Sequence, residues 1–212
     1  MFSVIFDMDG TLLDTQKICI PAWDWAGERQ GFKNVGECIP DVCGTNAVGW
    51  TKYLMQKYPT MNVELFNAEM REYIIKHLVV KYKPGAQELL KLLNKNGVKL
   101  ALASGSSMES ISHHLKEVGA TKFFDVIVPG TAVTNGKPAP DIFLLAAQKL
   151  GVNPKNCYVL EDSENGIIAA YKAGMKCIGI PDVVEFNSET KTLLTAEFRD
   201  MTQALPFFEK ML

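Results

Sequence analysis

Phe2-Ser3-Val4-Ile5-Phe6-Asp7-Met8-Asp9-Gly10-Thr11 is the stretch that decides the fold. Residues 2–6 form a mostly apolar run with the length and the β-branched and aromatic content of a buried strand. The run stops abruptly at two acids and a glycine. In an open α/β sheet, ligands bind just outside the carboxyl ends of the strands, where Asp7 and Asp9 would stand. Two carboxylates this close oppose each other's ionisation unless a cation or a shared proton relieves them. A hard cation such as Mg²⁺ is suited to the task. The same residues would also serve as a helix cap or a solvated Asp-Gly turn.

Downstream, the rhythm changes twice. Residues 16–80 read as helical: Ile18, Ala22, Trp25 and Ala26 form one apolar stripe, Trp50, Tyr53 and Leu54 a second, and Phe66, Met70, Tyr73, Ile74 and Leu78 a third. Pro40, Gly44 and Gly49 break the stretch between the first two stripes. From Pro84-Gly85 onward, helices alternate with strands. Helices are expected over 86–94, 108–118, 141–150, 164–173 and about 201–211, and strands over 98–103, 125–128, 157–160 and 176–180. Alternation of this kind implies a parallel sheet with right-handed crossovers and helices on both faces. The expected fold is therefore α/β: a doubly wound, Rossmann-like core from 1–15 and 81–212, interrupted by a helical domain at 16–80.

The 212 residues, 47% of them hydrophobic and 22% charged, suffice for one core domain with a smaller insertion. A net charge of −2 excludes the broad basic field that draws a protein to nucleic acid or anionic membrane. No apolar stretch approaches the ~20 residues of a membrane-spanning helix. The five cysteines contain no Cys-x-x-Cys pair, and no secretory leader precedes the first strand, so they are expected to be reduced thiols in a monomeric cytoplasmic protein.

Polar residues recur directly after strands: Asp7 and Asp9, Ser104 to Ser107, Lys137 in a later loop, and Glu161-Asp162. Alone, the serines would suit a helix N-cap, Lys137 a solvated loop and Glu161-Asp162 another cap. A parallel sheet, however, gathers all of them on one edge. Together they suit a phosphate ester, with carboxylates for Mg²⁺ and a serine hydroxyl, backbone N–H groups and an ammonium for phosphoryl oxygens. A carboxylate approaching a phosphate dianion meets repulsion of about 4 kcal/mol per charge pair at ~4 Å and an effective dielectric of ~20. Mg²⁺ and Lys137 would offset that repulsion. Asp7 would then attack phosphorus to form an acyl phosphate, and Asp9 would protonate the leaving alkoxide and later deprotonate water.

These residues resemble the haloacid dehalogenase superfamily, in the branch that includes β-phosphoglucomutase and phosphoglycolate phosphatase. The resemblance is carried by Asp7-Met8-Asp9-Gly10-Thr11, Ala103-Ser104-Gly105-Ser106, Gly136-Lys137-Pro138-Ala139-Pro140-Asp141 and Glu161-Asp162-Ser163. It implies that Asp7 is nucleophile and metal ligand and that Asp9 is acid/base and ligates through its carbonyl. It further implies Asp162 as a ligand, Glu161 in or beside the metal shell, and Ser104, Gly105 and Lys137 as the phosphate cradle. The helical segment resembles the family's cap. The second acid, Asp9, argues against a carbon–halogen substrate, since its task is to protonate an oxygen leaving group.

Two departures bear on the choice between phosphatase and mutase. Proteins similar to β-phosphoglucomutase carry a histidine where Cys19 stands, and an arginine shortly after a glycine like Gly44; here no arginine occurs from 44 to 52, and the chain has only Arg29, Arg71 and Arg199. Arginine is the better fork for a second phosphate. The expectation is hydrolysis of a small phosphorylated metabolite, with sugar phosphates first, a phosphomutase as the alternative, and a non-catalytic phosphometabolite-binding protein as a second. The aromatics Trp23, Trp25, Trp50 and Tyr53 are expected to be core of the helical segment.

Overall fold

In a computed structural model, which describes residues 2–212, the central strand β1 is Ser3–Phe6. It is followed by α1 (Cys19–Glu28), α2 (Ile39–Val42), α3 (Ala47–Lys57) and α4 (Val63–His77), and then by α5 (Ala86–Lys95) and β2 (Lys99–Ser104). The chain continues through α6 (Met108–Glu117), β3 (Val126–Pro129), α7 (Asp141–Leu150), β4 (Cys157–Glu161), α8 (Glu164–Lys172) and β5 (Lys176–Gly179). It closes with α9 (Ser188–Lys191), β6 (Leu194–Glu197) and α10 (Met201–Glu209). No helix among the described residues is long and apolar enough to cross a membrane.

The six strands are parallel in the order β3-β2-β1-β4-β5-β6. The chain moves from β1 outward to β2 and β3, then returns to the other side of β1 for β4. The crevice between the carboxyl ends of β1 and β4 is therefore the topological switch point, the usual ligand position in such sheets.

β1 is buried along its whole length, and alternate residues serve opposite faces. Val4 and Phe6 join the cluster containing Leu90, Leu100, Leu160 and Phe208, while Ile5 joins Ala101, Val159, Phe143 and Ile167 on the other side. That period of two, with both faces apolar, is what a doubly covered parallel strand requires. β6 was not expected from the sequence. It lies at the sheet edge, its residues alternate between exposed and half-buried, and its register with β5 shifts at Cys177/Ile178. A half-wet edge strand with Thr195 and Glu197 has the composition of a loop.

Between β1 and α5 the helices share a separate apolar cluster built on Trp23, Ala26, Val35, Leu54 and Phe66, with Trp25, Trp50 and Tyr53 packed against it. Trp23 is thus core, as expected, whereas Trp25, Trp50 and Tyr53 are half-buried at its edge and Tyr53 also lines a cleft. Arg29, directly after α1, also pairs with Glu69 of α4, Nε to Oε1 at 2.6 Å, which apolar periodicity did not announce. The segment at 31–49 is more ordered than its breakers suggested, with a 3₁₀ turn at Val35–Cys38 leading into α2. The two connections to this insertion lie side by side: Leu13 and Tyr82 form an antiparallel bridge, Asp14 N donates to Lys81 O at 2.9 Å, and Lys83 N donates to Leu12 O at 3.0 Å.

Candidate functional site

β1 delivers Asp7 at its carboxyl end, where Asp7 N donates to Leu160 O of β4 at 3.0 Å. Met8 is fully buried in the core. Gly10 turns the chain at φ +86°, and a Cβ there would stand 2.2 Å from Asp162 Oδ2, so glycine is required both for the turn and for the carboxylate beside it.

Lys137 is neither solvated nor loosely held. It is buried, and its Nζ donates to Asp7 Oδ1 and to Glu161 Oε1, both at 2.5 Å. Glu161 and Asp162 are not helix caps. Glu161 Oε2 accepts from Ser163 N at 2.8 Å and Ser163 Oγ at 2.9 Å, and it is Ser163 that caps α8. Gly166 leaves room for this carboxylate, because a Cβ there would lie 1.8 Å from Glu161 Oε1. Asp162 Oδ1 accepts from Thr11 Oγ1 at 2.8 Å, and its Oδ2 has only the Cys43 thiol at 4.0 Å.

Asp9 is held away from this group by hydroxyls. Thr15 Oγ1 donates to its Oδ1 at 2.6 Å; Ser106 Oγ at 2.8 Å and Ser104 Oγ at 3.2 Å donate to its Oδ2. Ser104 therefore contacts the second acid directly, while Ser107 is the residue that caps α6. Gly105 lies under the helical insertion, where a Cβ would meet Thr45 O at 2.7 Å. The sequence reading missed Thr11, Thr15, Ser106, Ser163 and Cys43. Of these, Thr11, Ser106 and Ser163 stood inside quoted motifs, whereas Thr15 and Cys43 gain meaning only from their neighbours in space.

The electrostatics follow from three buried carboxyl groups around one ammonium. Burial pushes Asp7 up to about 8 despite Lys137, with Glu161 and Asp9 adding to the rise. Burial, then Glu161 and Asp7, hold Asp162 well above the usual carboxylate range. Burial pulls Lys137 down, yet Asp7 and Glu161 outweigh it and keep the group charged. The site is short of positive charge.

That deficit is the test of the metal expected here. Among the described residues, no three acid, histidine or cysteine side chains stand arranged to hold an ion. Lys137 occupies the space between Asp7 and Glu161, and the Asp9 side chain faces its three hydroxyl donors. The donor chemistry nevertheless fits a hard dication: oxygen ligands only, excess negative charge, and an Asp162 oxygen with no conventional partner. Of the expected set, Asp7, Glu161 and Asp162 are brought together, and Asp9 is left with its backbone carbonyl as the group to offer.

The insertion presses on the site through residues 43–46. A Cβ on Gly44, at φ +77°, would lie 2.0 Å from Ser163 Oγ, and one on Gly136 would lie 2.7 Å from the Asn46 side chain. Beside this contact a cleft of about 440 Å³ opens between insertion and core, lined by Asp41, Cys43, Tyr53, Ser163 and Asn165 among others. Cys19, singled out for its place after Thr15, sits within the field of Asp9, and burial pushes its thiol up to about 12.

Comparison with known proteins agrees with this geometry. The family described as haloacid dehalogenase-like hydrolase matches residues 4–180. A phosphorylated carbohydrates phosphatase of Thermotoga maritima is 34% identical over 92% of this chain and 91% of its own. The β-phosphoglucomutase of Bacillus subtilis (strain 168) is 31% identical over 85% of this chain and 83% of its own. The crystal structure of a hydrolase from Pseudomonas syringae superposes with a TM-score of 0.85 at 24% identity, covering 99% of both chains, a likeness of fold.

Proposed function

The chain belongs to the haloacid dehalogenase-like hydrolases and is a phosphatase of that family, and on this premise we propose that it hydrolyses small phosphomonoesters, sugar phosphates first among them, with Mg²⁺ and an aspartyl-phosphate intermediate. The observation that carries the reading is the Lys137 bridge between Asp7 and Glu161 at the switch point, inside a site with more carboxylates than cations. Asp7 Oδ is the nucleophile. Lys137, fixed by Glu161, neutralises a phosphoryl oxygen as the dianion approaches, and Ser104 with the Gly105 backbone completes the cradle. Mg²⁺, held by Asp7, Asp162 and the Asp9 carbonyl with Glu161 beside it, would supply charge neutralisation and alignment.

Asp9 protonates the leaving oxygen and then takes the proton of the attacking water. For this its Oδ2 exchanges the Ser104 and Ser106 hydroxyls for the substrate oxygen, while Thr15 keeps hold of Oδ1. The insertion acts as a cap: the contacts of Gly44, Thr45 and Asn46 with the core exclude water, which would otherwise screen Lys137.

Hydrolysis is favoured over phosphoryl transfer between sugar positions because no arginine lies in the 43–46 contact, and Arg29 is paired with Glu69 inside the insertion. The test is phosphate release from a panel of sugar phosphates and other monoesters, with Mg²⁺ and with chelator, each ester also being checked for isomerised product. Chelator-sensitive release from a few esters is expected. Isomerisation with little free phosphate would replace hydrolysis by mutase chemistry, and inactivity on every ester would overturn the catalytic reading.

A further inference from the structure

The two connections to the insertion are clamped to the core by charges that the chemistry above does not use. Asp182 follows β5, and its side chain is 1% exposed. One of its oxygens, Oδ1, receives both Lys17, at 3.1 Å, and Lys83. Lys17 belongs to the outgoing connection and Lys83 to the returning one. Asp14 Oδ1 lies 3.7 Å from Lys17 and 3.9 Å from Lys83, too far for a hydrogen bond. Asp182 Oδ2 is buried with no partner at all.

Such an arrangement is expensive if it serves only to hold the fold, since a buried charge must be desolvated and half of this one is left unsatisfied. What it does achieve is geometric. Lys83 is anchored by its own backbone bond to Leu12, and its side chain is mostly buried; Lys17 is 60% exposed and free to leave. Between Asp14 and Lys17 stands Thr15, the residue whose hydroxyl holds Asp9. The next residue, Val183, packs against the insertion's apolar cluster, so one core loop touches both the connections and the insertion.

We propose that Asp182 is a positioning residue for the reaction: through Lys83 it fixes the paired connections, and through Lys17 it fixes the register of Thr15 against Asp9. It touches no reacting atom. Releasing Lys17 frees the outgoing connection to turn while Lys83 keeps Asp182 paired, so Asp9 loses its Thr15 bond as the insertion moves. The inference rests on the assignment of Asp9 as acid and base.

The test uses Lys17→Met, Lys17→Arg, Asp182→Asn and Thr15→Val in the full chain, with kcat and KM on the best ester and amide hydrogen exchange. For Lys17→Met, kcat is expected to fall about fivefold with KM little changed, a size typical of a residue acting through a neighbour. Exchange at Asp14 and Lys83 should quicken while Val4 to Phe6 stay protected, and Lys17→Arg should restore both readouts. In Lys17→Met/Thr15→Val the two losses should not multiply, because both act on the same bond. Multiplying losses, or unchanged kcat and exchange in Lys17→Met, would overturn the proposal. Should Asp182→Asn fail to fold, Lys17→Met still decides. If the wild type releases no phosphate, the functional reading fails, while hydrogen exchange still reports on the clamp.

Discussion

Replacing Asp7, the proposed nucleophile, should make the metal-free protein more stable. Asp7 has an ordinary value of 3.8 and is raised to about 8 by burial among carboxylates. At pH 7 the folded chain therefore keeps this group protonated, whereas the unfolded chain leaves it ionised, and folding must take up a proton. A carboxyl group with a raised value contributes full stability only below its unfolded value, and that stability is lost as pH rises toward the folded one. At about 1.36 kcal/mol per pH unit, the cost is about 4 kcal/mol at pH 7 and about 2 kcal/mol at pH 5. These are upper figures, because Asp162 shares the same crowding. Asp7→Asn has nearly the same shape as the protonated acid and needs no proton, so it escapes the cost. In chelator, urea denaturation should show the variant more stable than wild type at pH 7, with the difference about halved at pH 5. Turnover should be abolished, and added Mg²⁺ should stabilise the wild type far more than the variant. Equal stability of the two proteins at pH 7, or a difference that does not shrink at pH 5, would refute the charge-crowding argument; retained turnover would refute the nucleophile.

Two further outcomes follow from the same site. Lys137→Met leaves Glu161 buried without its cation and should cost about 3–5 kcal/mol in urea denaturation as well as all phosphate release; Lys137→Arg should not restore activity, because the fully enclosed ammonium site has no room for a guanidinium. Cys19 is pushed up to about 12, and Cys43 higher still, first by burial and then by the neighbouring carboxylates. Native alkylation with iodoacetamide at pH 8 should accordingly be slow at both, read by mass spectrometry, and should quicken in urea.

The residues that carried the fold in the sequence are those whose local pattern already matches their place. The run ending at Phe6 is mostly apolar because β1 is covered on both faces, and its acids are conspicuous because they interrupt buried apolar residues on either side. Lys137 was legible as part of a constellation, but its burial was not, since Gly136-Lys137-Pro138-Ala139-Pro140 has the composition of an exposed loop. The surroundings of Asp9 were the least legible. Thr15, Ser104 and Ser106 come from two distant segments, and only the pairing of β1 with β2 brings them onto one carboxylate. Glu69 was hidden for the same reason: its partner Arg29 is forty residues away in the chain.

The bridge between Leu13 and Tyr82 has a consequence for how such a protein changes over generations. The chain leaves the sheet and comes back to it at neighbouring points, about 5 Å apart as in any paired ladder. Any compact unit whose own ends lie that close can be spliced in without moving the β1 register or the carboxylates at its tip. The helical segment is thereby inherited separately from the carboxylates of the sheet, and grafting residues 16–80 from a relative onto this core becomes a matter of joining two adjacent threads.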